Sequence, residues 1–216
     1  MGLHQYISSL NDLEKIYRAP GFFKFEKHSV AAHSFRVAEV AQLLGDLENL
    51  DGNVVDWRML YEKSLNHDYT ERFIGDIKTP VKYASHELRE MLATVESSMT
   101  ENFIDNEIPE NLREIFRRRL SEGKDSTLEG KILSVADKLD LLYESFEEIE
   151  KGNPEEVYFS MFEESLTTIL QFQELYSVRY FIKKILPEML DEDFLYHKKL
   201  NGMAEEIMSS VEIIDL

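Results

Sequence analysis

Apolar residues recur through this sequence at intervals of three and four, the spacing that gathers them on one face of an α-helix. Val30, His33, Val37, Val40, Ala41 and Leu44 form one such stripe, and Trp57, Leu60, Tyr61, Ser64, His67 and Asp68 a second. Leu128, Ile132, Val135, Leu139, Leu142, Phe146 and Ile149 form a third, on a helix predicted over Ser126–Lys151. Asp125-Ser126 is expected to cap its start, and Gly152 follows its end. Further helices are predicted near Leu10–Tyr17, His86–Phe103, Pro109–Glu122, Pro154–Leu175, Val178–Leu190 and Asp193–Ser210. Phe73–Tyr83 holds Gly75 and Pro80 and reads as a structured loop. The sequence has no alternating pattern of strand length, no internal repeat and no low-complexity linker. The expectation is an all-α fold: a single helical bundle over residues 1–216, with its core at about 10–153 and additional C-terminal helices at about 154–216.

Composition narrows the partners. With 24 Lys+Arg against 42 Asp+Glu the net charge is −18, a surface that repels nucleic-acid polymers. A small anionic substrate is compatible with that charge if cations are focused locally. Between Arg18 and Arg36 lie Lys24 and Lys27 and a single acid, Glu26. Much of the negative charge lies elsewhere, as in the runs Glu144–Glu150 and Asp191–Asp193, and the run after Glu144 reads as a solvated helix face. The 216 residues include no cysteine, which excludes disulfides, thiolate metal sites and cysteine nucleophiles and fits a reducing compartment. The N-terminal MGLHQYISSLNDLEKIYR lacks a basic segment followed by an apolar one, so no signal peptide is expected. Apolar runs fall far short of the roughly 20 residues of a bilayer span. A cytoplasmic protein without membrane contact is the expectation.

Four polar residues sit where apolar ones belong. His33, His67 and Asp68 lie on helical stripes, and Asp137 follows Ile132-Leu133-Ser134-Val135-Ala136, a run so apolar that the acid is expected deep in the core. Taken singly, each has an ordinary reading as a hydrogen-bonded core histidine, an ion pair or a satisfied buried acid. Together they are best satisfied by one divalent cation, since an unpartnered buried carboxylate costs several kcal/mol. Two imidazoles and two carboxylates form a mixed N/O set suited to Mn, Co, Ni, Fe or Zn. His28 and His86 read as surface residues and Lys82 as solvated. Phe22, Phe23 and Phe25 would roof a base or, more ordinarily, pack in a core.

The order His…His-Asp…Asp resembles the signature of the HD-domain phosphohydrolases. Arg18-Ala19-Pro20, Ala32-His33-Ser34, His67-Asp68-Tyr69-Thr70-Glu71, Gly75-Asp76-Ile77-Lys78-Thr79-Pro80-Val81-Lys82-Tyr83, Ala136-Asp137-Lys138-Leu139 and Glu150-Lys151-Gly152-Asn153 look like the bacterial 5′-deoxynucleotidases of the YfbR type. The resemblance runs from Leu10 to Asn153. It implies an HD-domain enzyme, a homodimer, that releases phosphate from (deoxy)nucleoside 5′-monophosphates by attack of a water on a divalent metal (Mn, Co, Zn, Ni, Fe or Mg). His33, His67, Asp68 and Asp137 would hold the metal. Arg18 would contact the phosphate, and Glu71 would act as acid/base or position the water, with Asp76 assisting. Ala19, His33, Asp76, Ile77, Lys78, Thr79 and Asp137 would line the substrate pocket.

Elementary chemistry agrees with these roles. Phosphomonoester hydrolysis is slow enough in water to need an activated nucleophile and charge neutralisation at the phosphoryl oxygens. Arg18 offers a guanidinium fork matched to phosphate. Glu71 follows Asp68 by three residues and shares its face if the helix continues. Ala19 stands where the family commonly has tryptophan, which implies a looser hold on the sugar.

Two alternatives accompany this expectation. One is hydrolysis of nucleoside triphosphates or guanosine polyphosphate alarmones, which share His-Asp-x-x-Glu. The other is a non-catalytic helical scaffold with a vestigial metal site. The Gly75–Tyr83 block favours the nucleotidase, and the lack of Gly-Tyr-Pro after the His-Asp pair disfavours a cyclic-dinucleotide phosphodiesterase.

Overall fold

The structure is a computed structural model that describes residues 3–77, 81, 84–121 and 123–216. It is all-α. Among the described residues, the one isolated pairing of extended backbone is an antiparallel bridge between Tyr17 and Ser29. The chain packs as two compact units.

The first unit comprises residues 1–22, 27–35 and 62–123. It holds α1 (Leu3–Leu13), the start of α2 (Val30–Leu50), the end of α3 (Trp57–Asn66), the one-turn α4 (Glu71–Ile74), α5 (His86–Glu107) and α6 (Glu110–Ser121). Leu13, Val30, Tyr69, Phe103, Ile104, Ile108 and Phe116 form its core, with Tyr6 and Phe73 packed alongside. The first helix lies earlier than the expected Leu10–Tyr17. Tyr17 is drawn out of helix because its neighbours pair with the approach to α2: Arg18 N donates to His28 O at 3.0 Å, and Val30 N to Ile16 O at 2.9 Å. Ser29 caps α2, its Oγ accepting from Ala32 N at 3.2 Å.

The second unit comprises residues 23–26, 36–61 and 124–216. It holds the rest of α2, the start of α3, α7 (Leu128–Glu150), α8 (Glu156–Ile169), α9 (Tyr176–Tyr180), α10 (Leu186–Leu190) and α11 (His197–Ser209). Val37, Leu44, Ile132, Leu142, Phe162, Phe181 and Leu200 are among its core residues. Burying one such side chain contributes about 1.5–3 kcal/mol. The cap of α7 is Thr127 rather than Asp125-Ser126: Thr127 Oγ1 accepts from Gly130 N at 3.0 Å, while Asp125 Oδ1 braces Thr127 N. Gly152 does end that helix, at φ +82°. The expected Val178–Leu190 helix is broken by a π turn at Phe181–Ile185. Pro187, which has no N–H and whose ring crowds the preceding turn, sits just beyond it.

The acidic run after Glu144 departs from expectation. Glu144 and Glu148 are buried, not solvated. Glu144 pairs with the buried ammonium of Lys24. Glu148 accepts from Phe25 N at 3.0 Å, Glu26 N at 3.1 Å and Asn153 Nδ2 at 2.6 Å, and Tyr158 donates to Phe23 O at 2.7 Å. These partners tie down the segment Phe23–Glu26, and Phe23 and Phe25 stand about half exposed instead of entering a core. Phe22, at 36 %, is also exposed. No helix among the described residues is long and apolar enough to cross a membrane.

Candidate active site

The site is built at the ends of helices. His33 projects from the first turn of α2 into the interior and is fully buried. Helix α3 stops at Asn66, so His67 and Asp68 fall in the turn that follows it. Neighbours in a helix diverge by about 100°. Leaving the helix lets this pair converge. His33 Nε2 lies 3.1 Å from His67 Nε2, and Asp68 Oδ2 lies 3.2 Å from the first and 3.3 Å from the second.

These distances form a nearly equilateral triangle of potential ligand atoms. Two atoms about 2.1 Å from one cation, at tetrahedral or octahedral angles, stand about 3.0–3.4 Å apart. The triangle fits. The chemistry of the donors fits as well. His67 Nδ1 lies 2.8 Å from Ser64 O, a carbonyl that can only accept, so the ring donates from Nδ1 and turns Nε2 toward the triangle. Two ring nitrogens and a carboxylate oxygen this close together call for a cation or a shared proton between them. His33, His67 and Asp68 thus have the geometry to hold a metal ion.

Asp137 belongs to the second unit. Its side chain is 14 % exposed, so it lies at the margin of the core rather than deep within it, and its carboxylate pairs with Lys124. Ile132, Leu133, Val135 and Ala136 around it are buried as expected.

Arg18 Nη1 donates to Asp68 Oδ2 at 3.2 Å, which places the guanidinium at the edge of the triangle. The backbone there is unusual: Ala19 has φ +45°, a left-handed conformation rare for a residue with a Cβ. Asp76 supports it, accepting from Ala19 N at 2.8 Å. One Asp76 oxygen is therefore committed to shaping the Arg18–Ala19 turn. Ile77 is half-buried next to it, while Lys78, Thr79 and Lys82 lie outside the described residues.

Glu71 opens α4, since the helix does not continue unbroken from Asp68. Its Oε2 is buried with no hydrogen-bond partner among the described residues. Burial, reinforced by the Asp68 and Asp76 carboxylates and only partly offset by Arg18 and His33, pushes its pKa up to about 8. Asp68 moves the other way. Burial alone would raise it, but the His67 and His33 imidazoles outweigh that and hold it well below the usual carboxylate range. Such opposed shifts in adjacent carboxyls are a mark of acid–base sites. His86 pairs with Glu90 on the surface of α5, as its surface reading expects.

Comparison with known proteins places these residues in context. A profile of the family described as "5′-deoxynucleotidase YfbR-like" matches residues 5–189. The 5′-deoxynucleotidase YfbR of Escherichia coli is 29 % identical over 203 residues, covering 93 % of this chain and 96 % of that one. A 5′-deoxynucleotidase of Enterobacter sp. is also 29 % identical, over 89 % of this chain and 96 % of its own. The crystal structure of an HD-domain phosphohydrolase from Listeria innocua superposes with a TM-score of 0.93 at 58 % identity, covering 98 % of this chain and all of that one (100 %). A protein from Pyrococcus horikoshii shares the fold at 20 % identity, with a TM-score of 0.60 over 94 % of this chain and 98 % of its own.

Proposed function

Because the chain belongs to the YfbR-like 5′-deoxynucleotidase family, we propose that it is a metal-dependent phosphohydrolase releasing phosphate from nucleoside 5′-monophosphates. The observation that carries this reading is the His33–His67–Asp68 triangle with Arg18 on its edge. We assign His33, His67, Asp68 and Asp137 as ligands of one divalent cation, the last from its place in the motif. A set of imidazole and carboxylate donors accepts Mn, Co, Ni, Fe or Zn more readily than Mg. When bound, such a cation neutralises phosphoryl charge and makes a water acidic enough to attack at neutral pH.

The chain's own groups do the rest. Arg18 directs its fork at the phosphate that the triangle attracts. Asp76, by holding the Ala19 amide, fixes the turn from which Arg18 projects. Glu71 Oε2 takes and returns a proton during the attack. Lys78 and Thr79 complete the nucleotide contacts. A small side chain at Ala19 leaves the sugar loosely gripped, so ribo- and deoxyribonucleotides are both substrates. The homodimer implied by the resemblance and the cytoplasmic location expected from the sequence belong to this same reading.

The test is phosphate release from a panel of ribo- and deoxyribonucleoside monophosphates with Mn or Co. Glu71→Gln is expected to lower kcat by about 10²–10⁴-fold. No release from any monophosphate with any of these metals would sink the proposal. Pyrophosphate or tripolyphosphate as the product would redirect it to polyphosphorylated nucleotides.

A further inference from the structure

We propose that Arg72, acting with the Tyr69 hydroxyl, is the positioning residue that fixes Asp68 and Glu71. This rests on the roles just assigned to those two acids. The segment that carries them cannot orient itself. Helix α4 is 4 residues long, and Thr70 before it makes no side-chain cap bond. One helical turn is unstable alone, so outside contacts must set its direction.

Those contacts come from Tyr69, between the two acids, and from Arg72, immediately after Glu71. Tyr69 is buried, at 2 % exposure, and the Arg72 side chain is 12 % exposed. The Arg72 guanidinium lies 4.9 Å from the ring centre of Phe73, 5.0 Å from Phe103 and 5.6 Å from Tyr69. Nη1 donates to Tyr69 Oη at 2.8 Å. Tyr69 Oη is 3.2 Å from Ser9 Oγ, and Ser9 donates its one proton to Tyr6 O at 2.7 Å. Tyr69 is therefore the donor to Ser9. The bonds run in one direction, from Arg72 through Tyr69 and Ser9 to the backbone of α1. Asp12, also on α1, stands 3.9 Å from Nη2. Thr70 adds a bond to Glu96 on α5.

An arginine next to Glu71 invites assignment as a second phosphate contact. The geometry assigns it instead to anchoring. Its charge is taken up by three rings, a hydroxyl and Asp12, while residues 68 and 71 of the same segment serve the triangle. Groups that support metal ligands from behind typically change metal affinity or activity by about 10–100-fold when removed.

The experiment compares Arg72→Met, Arg72→Lys, Tyr69→Phe and Glu71→Gln with wild type. It reads kcat and KM for a nucleoside monophosphate and cobalt affinity by calorimetry, with folding checked by melting temperature. Arg72→Met is expected to lower kcat or cobalt affinity by about 10–100-fold with KM within threefold, and Arg72→Lys to recover part of the loss. Tyr69→Phe, which removes one oxygen, should show a smaller loss of the same kind and serves if Arg72→Met fails to fold. The proposal is overturned if folded Arg72→Met, or Tyr69→Phe in its place, matches wild type within twofold in kcat and cobalt affinity while Glu71→Gln is inactive. A rise in KM alone would also overturn it, showing Arg72 to be a substrate contact. A wild type that neither binds cobalt nor releases phosphate defeats the underlying nucleotidase reading, a result distinct from these.

Discussion

Glu71 holds its proton at a pH where an ordinary carboxyl has lost it, and this has a cost that can be measured. Its pKa is about 8 in the folded chain against 4.5 as the ordinary value. A carboxyl raised on folding contributes stability fully present below about 4.5, and that contribution is lost as pH rises through about 8. Metal-free protein should therefore lose stability between about pH 5 and 8.5, and Glu71→Gln should lose less. Urea unfolding across that range checks it; equal declines in both proteins would refute it. Asp68, held low, acts in the opposite sense, and its contribution is lost only on acidification. The sequence pointed to Asp68 because an acid on an apolar stripe demands a partner, and to Glu71 through the family resemblance of the motif that holds both. It did not announce Tyr69 or Arg72, whose partners on α1 and α5 are distant in sequence and follow no period.

Among the elements, α7 does the most to organise its unit. Its apolar stripe was readable as a helix because the 3.6-residue period persists for several turns. Its buried acids were not, because periodicity cannot distinguish a solvated glutamate from one that meets the backbone of Phe25 and Glu26, over 120 residues away. Removing the Glu148 carboxylate strands three N–H donors. Each buried donor left unsatisfied costs about 1–3 kcal/mol, and water at the exposed side of the segment offsets part of this. Glu148→Ala is expected to destabilise by about 2–4 kcal/mol, and Glu150→Ala, at an exposed position, by under about 0.5 kcal/mol. Chemical denaturation of the two variants decides the matter. The broken helix before Pro187 and the early start of α1 escaped the sequence for a similar reason: both depend on local backbone hydrogen bonding that the side-chain pattern does not record.

At the scale of the whole molecule, acids far outnumber bases, for a net charge of −18. If the triangle takes a cation only when folded, binding and folding are linked. A divalent ion at 100 times its Kd should raise the unfolding free energy by about 2.7 kcal/mol. Melting curves with and without chelator measure this, and His33→Ala should abolish the shift. The triangle of two ring nitrogens and a carboxylate oxygen has one further consequence. It contains no sulfur ligand, and the chain has no cysteine. Thiol-directed alkylators will find no cysteine to attack at such a centre. An inhibitor for it must compete for the ion itself, through hard oxygen donors such as a hydroxamate or a phosphonate, and selectivity will have to come from whatever else that molecule carries.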